Sequence, residues 1–179
     1  MLEWQREFKT KRTMSISVNI SARQFNAGLP AFVDRVLKET GLDPAFLKLE
    51  ITESVIMDNP EVASALIFRL KEMGVQIMID DFGTGYSSLN YIHKFPVNAL
   101  KIDRTFVQNL HNDRDAQEIV KAITHLAHNL NMNVIVEGVE MLDQLEYFRK
   151  LNCNFSQGFL FSEPLTEKDV QKYMRQFQD

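Results

Sequence analysis

The sequence predicts an α/β fold on a parallel sheet, and three observations lead there. Short apolar runs alternate with helix-period segments, at intervals of roughly 20 to 36 residues, along a chain of 179 residues. The cores of those runs are nearly continuous in Val, Ile and Leu, as in strands buried on both faces of a parallel sheet. No Gly-rich phosphate fingerprint follows the first run, which weighs against a dinucleotide-binding arrangement. An open doubly wound sheet and a (β/α)8 barrel both satisfy the alternation. A closed barrel needs two strands more than the six that can be read.

The elements follow in order. Leu2, Trp4 and Phe8 stand among Glu3, Arg6, Glu7 and Lys9, as at the end of a helix, so the chain is expected to open inside one. SISVNI (15–20) is the first strand and a helix near 30–40 follows it. LKLEIT (47–52) is the second; Asn59-Pro60-Glu61 then opens a helix over 60–73 with a cap and an N1 proline, and Gly74 closes it. VQIMIDD (75–81) leads to a helix near 87–94, and ALKID (99–103) to one over 114–130. NVIVEG (133–138) precedes a helix over 141–151. NFSQGF (154–159) is the weakest strand, and Thr166 with Asp169 caps a last helix over 166–177. His125 and His128, three apart on a helix, read as a solvated face, and the eight Met and thirteen Phe as core filling.

Composition sets the outer limits. Hydrophobic residues make up 45% and charged residues 25%, enough apolar surface to offset the entropy of ordering the chain. A net charge of -4 argues against duplex nucleic acid, a partner held mainly by phosphate neutralisation. Cys153 is the single cysteine, with no partner for a disulfide or a thiolate metal site, which suits a reducing cytoplasm. The sequence has no run of about 18 apolar residues. Charges fill the N-terminal stretch where a signal peptide needs its apolar core. No membrane contact is expected of this chain.

The strand ends carry the chemistry. Asn19 ends the first strand, Glu50 lies near the end of the second with Glu53 beyond it, and Asp80-Asp81 end the third. Lys101 ends the fourth, Glu137 the fifth, and Gln157 lies in the sixth. In a βα barrel these positions converge on one face, the face that carries catalytic groups. Each residue alone has an ordinary reading, as a cap, a loop carboxylate or a snorkelling lysine. Together, several carboxylates around one lysine call for a cation, and oxygen ligands without Cys or His favour Mg²⁺ or Mn²⁺ over Zn²⁺. Gly83 and Gly85, in DFGTGYSSL (81–89), allow a tight loop directly after the acidic pair.

Six segments then resemble one family, the EAL phosphodiesterases. They are VNISARQF (18–25), LKLEITES (47–54), IDDFGTGYSSL (79–89), LKIDRTFV (100–107), VIVEGVE (134–140) and QGFLFSEPL (157–165). The resemblance implies a modified TIM barrel, a two-metal site taking Mg²⁺ or Mn²⁺, and hydrolysis of cyclic di-GMP to linear pGpG. It implies that Asn19, Glu50 and Asp80 hold one ion and that Asp80 is shared with a second, held by Asp81 and Glu137. Lys101 resembles the residue that orients the nucleophilic water, and Gln157 a glutamine behind the metal ligands. Arg23, Glu140 and Pro164 match substrate-side positions, and Glu53 matches the anchor of the loop after Asp81.

The Glu-Ala-Leu that names the family appears nowhere in the sequence. Residues 1–179 are therefore expected to form the C-terminal two-thirds of one domain, an incomplete barrel of about six βα units. One carboxylate fewer weakens a hard-metal site. Two strands fewer leave parallel edges unpaired, so a homo-oligomer is expected. The alternative expectation is a non-catalytic module that binds cyclic di-GMP or dimerises. Family precedent adds sensor or GGDEF domains in a parent protein, with any membrane anchor belonging to that parent and this segment in the cytoplasm.

Overall fold

In a computed structural model describing residues 2–8, 14–85, 89–110 and 113–176, the six apolar runs pair as one parallel sheet in unbroken chain order. The strands are β1 (Ile16–Ile20), β2 (Leu47–Thr52), β3 (Gln76–Phe82), β4 (Ala99–Ile102), β5 (Asn133–Glu137) and β6 (Phe155–Gln157). A doubly wound sheet reverses its order at a switch point, and this sheet never does. With right-handed crossovers, unbroken order places every connecting helix on the same side of the sheet. That is the winding of a barrel. The architecture is an incomplete (β/α) barrel of six units, with β1 and β6 as its two edges.

The helices are α1 (Leu2–Glu7), α2 (Leu29–Thr40), α3 (Glu53–Asp58), α4 (Pro60–Glu72), α5 (Leu89–Ile92), α6 (Arg104–Gln108), α7 (Arg114–Asn129), α8 (Leu142–Lys150) and α9 (Glu167–Arg175). Asn59 caps α4 by accepting from the Val62 N–H at 3.2 Å, and Asp113 caps α7 through the Asp115 and Ala116 N–H groups. Thr166 accepts from Asp169 N at the start of α9, as the sequence suggested. Strand limits fall within two residues of those expected. Three short elements were not expected: α3, α6 and a 3-10 turn at Pro44–Phe46. The expectations at residues 9–13, at 86–88, at His111 and at 177 lie outside the described residues.

Alternation along each strand separates two unlike faces. Outward side chains, among them Leu49, Ile51, Ile77, Ile79, Leu100, Ile102, Val134 and Val136, form one core with Val33, Ile67, Leu70, Val120, Ile123 and Phe148 of the helices. Each such side chain contributes about 1.5–3 kcal/mol on burial. The inward face corrects the expectation of strands apolar on both sides. Register and parity place Asn19, Glu50, Lys101, Glu137 and Gln157 there, above a separate small cluster of Met78, Ala99 and Ile135. At the opposite end of the sheet, Asn98 and Asn154 extend the ladder with side chains. Their Oδ1 atoms accept from Ile77 N and Val134 N at 2.9 and 2.8 Å.

Cys153 follows α8 and its thiol lies 3.9 Å from Thr124 Oγ1. Burial pushes that thiol from 9.0 up to about 11. Below pH 9 the thiolate fraction is then about 100-fold smaller than in the unfolded chain. At pH 7.5, iodoacetamide is expected to alkylate the native chain about 100-fold more slowly than the chain in urea; equal rates would mean an open thiol. Among the described residues, no helix is long and apolar enough to cross a membrane.

Candidate active site

Lys101 is the centre of the inward face. It is 3% exposed, and a buried ammonium is tolerated only when paired and hydrogen-bonded. Its Nζ lies 2.5 Å from Glu50 Oε2, 2.9 Å from Asp80 Oδ1 and 3.4 Å from Glu137 Oε2. Three strands thus converge on a lysine from a fourth. Burial opposes its charge, and the hydrogen bonds to Glu50 and Asp80 outweigh that, holding the ammonium protonated well above the ordinary lysine range. An isolated reading as a surface lysine is overturned by the register, which points Lys101 inward between β3 and β5.

Adjacent residues of a regular strand face opposite ways, so Asp80 and Asp81 could not normally serve one site. A bulge removes the obstacle. Ile79 pairs with Leu100 and Phe82 with Ile102, so that Asp80 and Asp81 together oppose Lys101 alone. Asp81 takes up the extra length in the left-handed region, at φ 54°, a conformation that costs a non-glycine residue about 1 kcal/mol or more. Bulges re-aim side chains beside functional sites in this way. Asp80 Oδ1 fixes the turn by accepting from the Asp81 N–H at 3.0 Å.

As a result, Asp80, Asp81 and Glu137 each present a carboxylate oxygen, all within 4.8 Å of one another. Burial, with the charges of Asp80 and Asp103, pushes the Asp81 carboxyl above its ordinary value. Burial likewise raises Glu137, against the pull of Lys101. Asp103 at the end of β4 goes the other way. Burial opposes its charge, but hydrogen bonds from the Thr105 hydroxyl and N–H and from the Asp81 carboxyl lower it. Three crowded carboxylates, two of them reluctant to ionise, form a donor set that fits a hard divalent cation bound through oxygen.

The remaining expected residues surround this cluster. Asn19 sits in register with Glu50, exposed on the edge strand, and Gln157 sits in register with Glu137. Glu53, 3% exposed at the start of α3, accepts from the Gly83 N–H at 3.0 Å and so grips the turn after Asp81. Glu140 borders a pocket of about 140 Å³ with Arg104, Gln108, Glu137, Gln157 and Phe159. Arg23 lines an apolar groove beside β1 with Val18 and Phe32, and Pro164 is exposed ahead of α9. Sequence reasoning missed Asp103, two residues beyond Lys101 on β4, although that same spacing was its signal. It also missed Arg104, which packs its Cβ where a side chain on Gly138 would stand, 2.6 Å away.

Known proteins share the sequence pattern and the fold. A family model described as the EAL domain matches residues 1–164. A Pseudomonas aeruginosa protein named cyclic di-GMP phosphodiesterase NbdA is 40% identical over 167 residues, 92% of this chain and 21% of the relative. A solved structure described as the PaMucR phosphodiesterase in complex with c-di-GMP superposes with a TM-score of 0.85 at 44% identity, covering 87% of this chain and 64% of the other. A manganese and cy-diGMP complex of Klebsiella pneumoniae BlrP1 superposes at 0.77 and 27% identity, covering 84% of this chain and 39% of the other. The chain spans about a fifth of the length of the curated relatives it matches.

Proposed function

The chain belongs to the EAL domain family, and on that premise we propose that it carries the metal-dependent machinery for hydrolysing cyclic di-GMP to linear pGpG. The observation that carries the reading is the buried Lys101 amid Glu50, Asp80 and Glu137, beside a bulge that turns Asp81 into the same mouth. Asp80, Asp81 and Glu137 would hold one Mg²⁺ or Mn²⁺ ion, and Asn19, Glu50 and Asp80 would serve another. When bound, such ions neutralise the phosphodiester's charge and acidify a water. The side chains do the rest. Lys101 orients that water and adds positive charge opposite the phosphate. Glu53 holds the loop after Asp81, and Gln157 braces Glu137 from the neighbouring strand. Arg23, Glu140 and Pro164 meet the nucleotide.

The same proposal takes the chain to be cytoplasmic and part of a homo-oligomer, with sensor or GGDEF domains elsewhere in its parent protein. One observation favours a second reading, a module that binds cyclic di-GMP without cutting it: Asn19 stands exposed on an edge strand, so one side of the mouth is open. Chromatography of pGpG formed by the full chain with Mn²⁺ or Mg²⁺ separates the two. Product is expected from the parent chain, falling about 100-fold or more in Asp80→Ala. Bound nucleotide without product would select the second reading. A folded chain that neither binds nor cuts would sink both.

A further inference from the structure

We propose that Gln144 is a positioning residue for the acidic mouth, acting through the loop after β5 and through α6; this rests on the metal-binding reading given above. The residue lies on α8 and is only 2% exposed. Its Oε1 accepts from two consecutive backbone groups, Glu140 N at 2.9 Å and Met141 N at 3.0 Å. Its Nε2 donates to Val107 O at 3.2 Å, on a different helix. One amide therefore joins two segments that lead away from the mouth, the loop after β5 and α6 after β4.

The first arm is short. Glu137 ends β5, and Gly138, at φ 78°, turns the chain so closely over Arg104 that no side chain fits there. Gln144 fixes the far end of that turn, and with it Glu140 and the exit of Glu137. The second arm runs along α6. Val107 is near its C-terminal end, and its N-cap is Asp103, two residues after Lys101, which accepts from the Thr105 N–H at 2.9 Å. Holding Val107 thus sets the depth of α6 and the exit of β4 beyond Lys101.

A plain helix cap would account for only part of this. Gln at the third position of a helix commonly reaches back to the cap N–H, and Glu does so equally well. The bond to Val107 needs a donor as well, which an ionised carboxylate lacks. Gln144→Glu therefore keeps the cap and removes the tie to α6. Its added negative charge would by itself strengthen cation binding, so a loss of affinity cannot be simple electrostatics.

Calorimetric Mn²⁺ titration of the full chain tests the inference. Gln144→Glu is expected to raise the Mn²⁺ Kd about tenfold, and Gln144→Asn, which keeps both functions on a shorter stem, to behave alike and to carry the test should the first variant not fold. Thr124→Val removes a buried bond to Val120 O on α7, away from the mouth, and is expected to leave Kd unchanged while lowering Tm. Parent-like Kd in folded Gln144 variants, or an equal rise in Thr124→Val, would overturn the inference and leave the metal-binding reading standing. No Mn²⁺ binding by the parent chain would overturn both.

Discussion

Lys101→Met lowers the stability of the metal-free chain by about 3–5 kcal/mol, the range for a buried ion pair that loses one partner. Methionine keeps an unbranched stem of similar length, so the loss reports the charge more than the packing. Glu50 and Asp80 are left buried without their ammonium; Glu137 is more exposed and contributes less. Relief comes in two ways. Glu137 already holds its proton more tightly in the folded chain than an ordinary carboxyl does. The folded variant therefore binds more protons than the unfolded one, and its stability falls as pH rises from about 4 toward 7. The deficit against the parent is smallest at the acid end. Mn²⁺ supplies the missing charge directly, so it should raise the Tm of Lys101→Met more than that of the parent. Adding Asp80→Asn to the variant should cost less than it costs the parent, because Asp80 has already lost its counter-ion there and its neutralisation relieves the remaining repulsion. Urea midpoints with and without EDTA would settle this. A midpoint equal to the parent's, unmoved by Mn²⁺, would show that Lys101 is not the counter-ion of this cluster.

The same lysine marks how far the sequence could be read. Residue order alone found the six strands and placed Asn19, Glu50, Asp80, Lys101, Glu137 and Gln157 at their ends. In a parallel sheet of unbroken order, strand ends and site positions are the same thing. What it could not give is the face each residue takes. Continuous Val, Ile and Leu suggested two buried faces, whereas the charged residues interrupt those runs at the alternate positions that form the inward face. The bulge was equally hidden, since Asp80-Asp81 looks the same whether the two carboxylates diverge or converge. Only the shifted pairing between Ile79 and Phe82 reveals it. The helices α3 and α6 begin directly at strand ends and span 6 and 5 residues, too short to show a helical period. Gln144 reads as one more polar residue on an amphipathic helix, because its partners are backbone groups distant in the sequence and leave no trace in composition.

Gly158→Ala is expected to be about as damaging, for a steric reason. A Cβ at residue 158 would lie 2.2 Å from Val139 O, 2.4 Å from Val139 N and 2.8 Å from Val139 C. All three are backbone atoms, so no rotamer change relieves the overlap. Neither can the backbone withdraw freely. Val139 N donates to Gln157 O and Leu160 N donates to Val139 O, both at 3.0 Å, which stitches the loop after β5 to the end of β6. One methyl group forces these segments apart, at a cost of about 3 kcal/mol, the upper end for overpacking where neighbours can yield. Gly41→Ala is the control. Gly41 also lies in the left-handed region, at φ 71°, but a Cβ there would meet nothing within 4 Å. Its cost is conformational only, about 1 kcal/mol. Because β6 is a three-residue edge strand, the damage should stay local. Amide exchange is expected to accelerate at Val139 and Leu160 while β2, β3 and β4 keep their protection. Equal urea midpoints for the two alanine variants would mean that the contact between Gly158 and Val139 is loose, and that Gln157 is not held beside Glu137 by it.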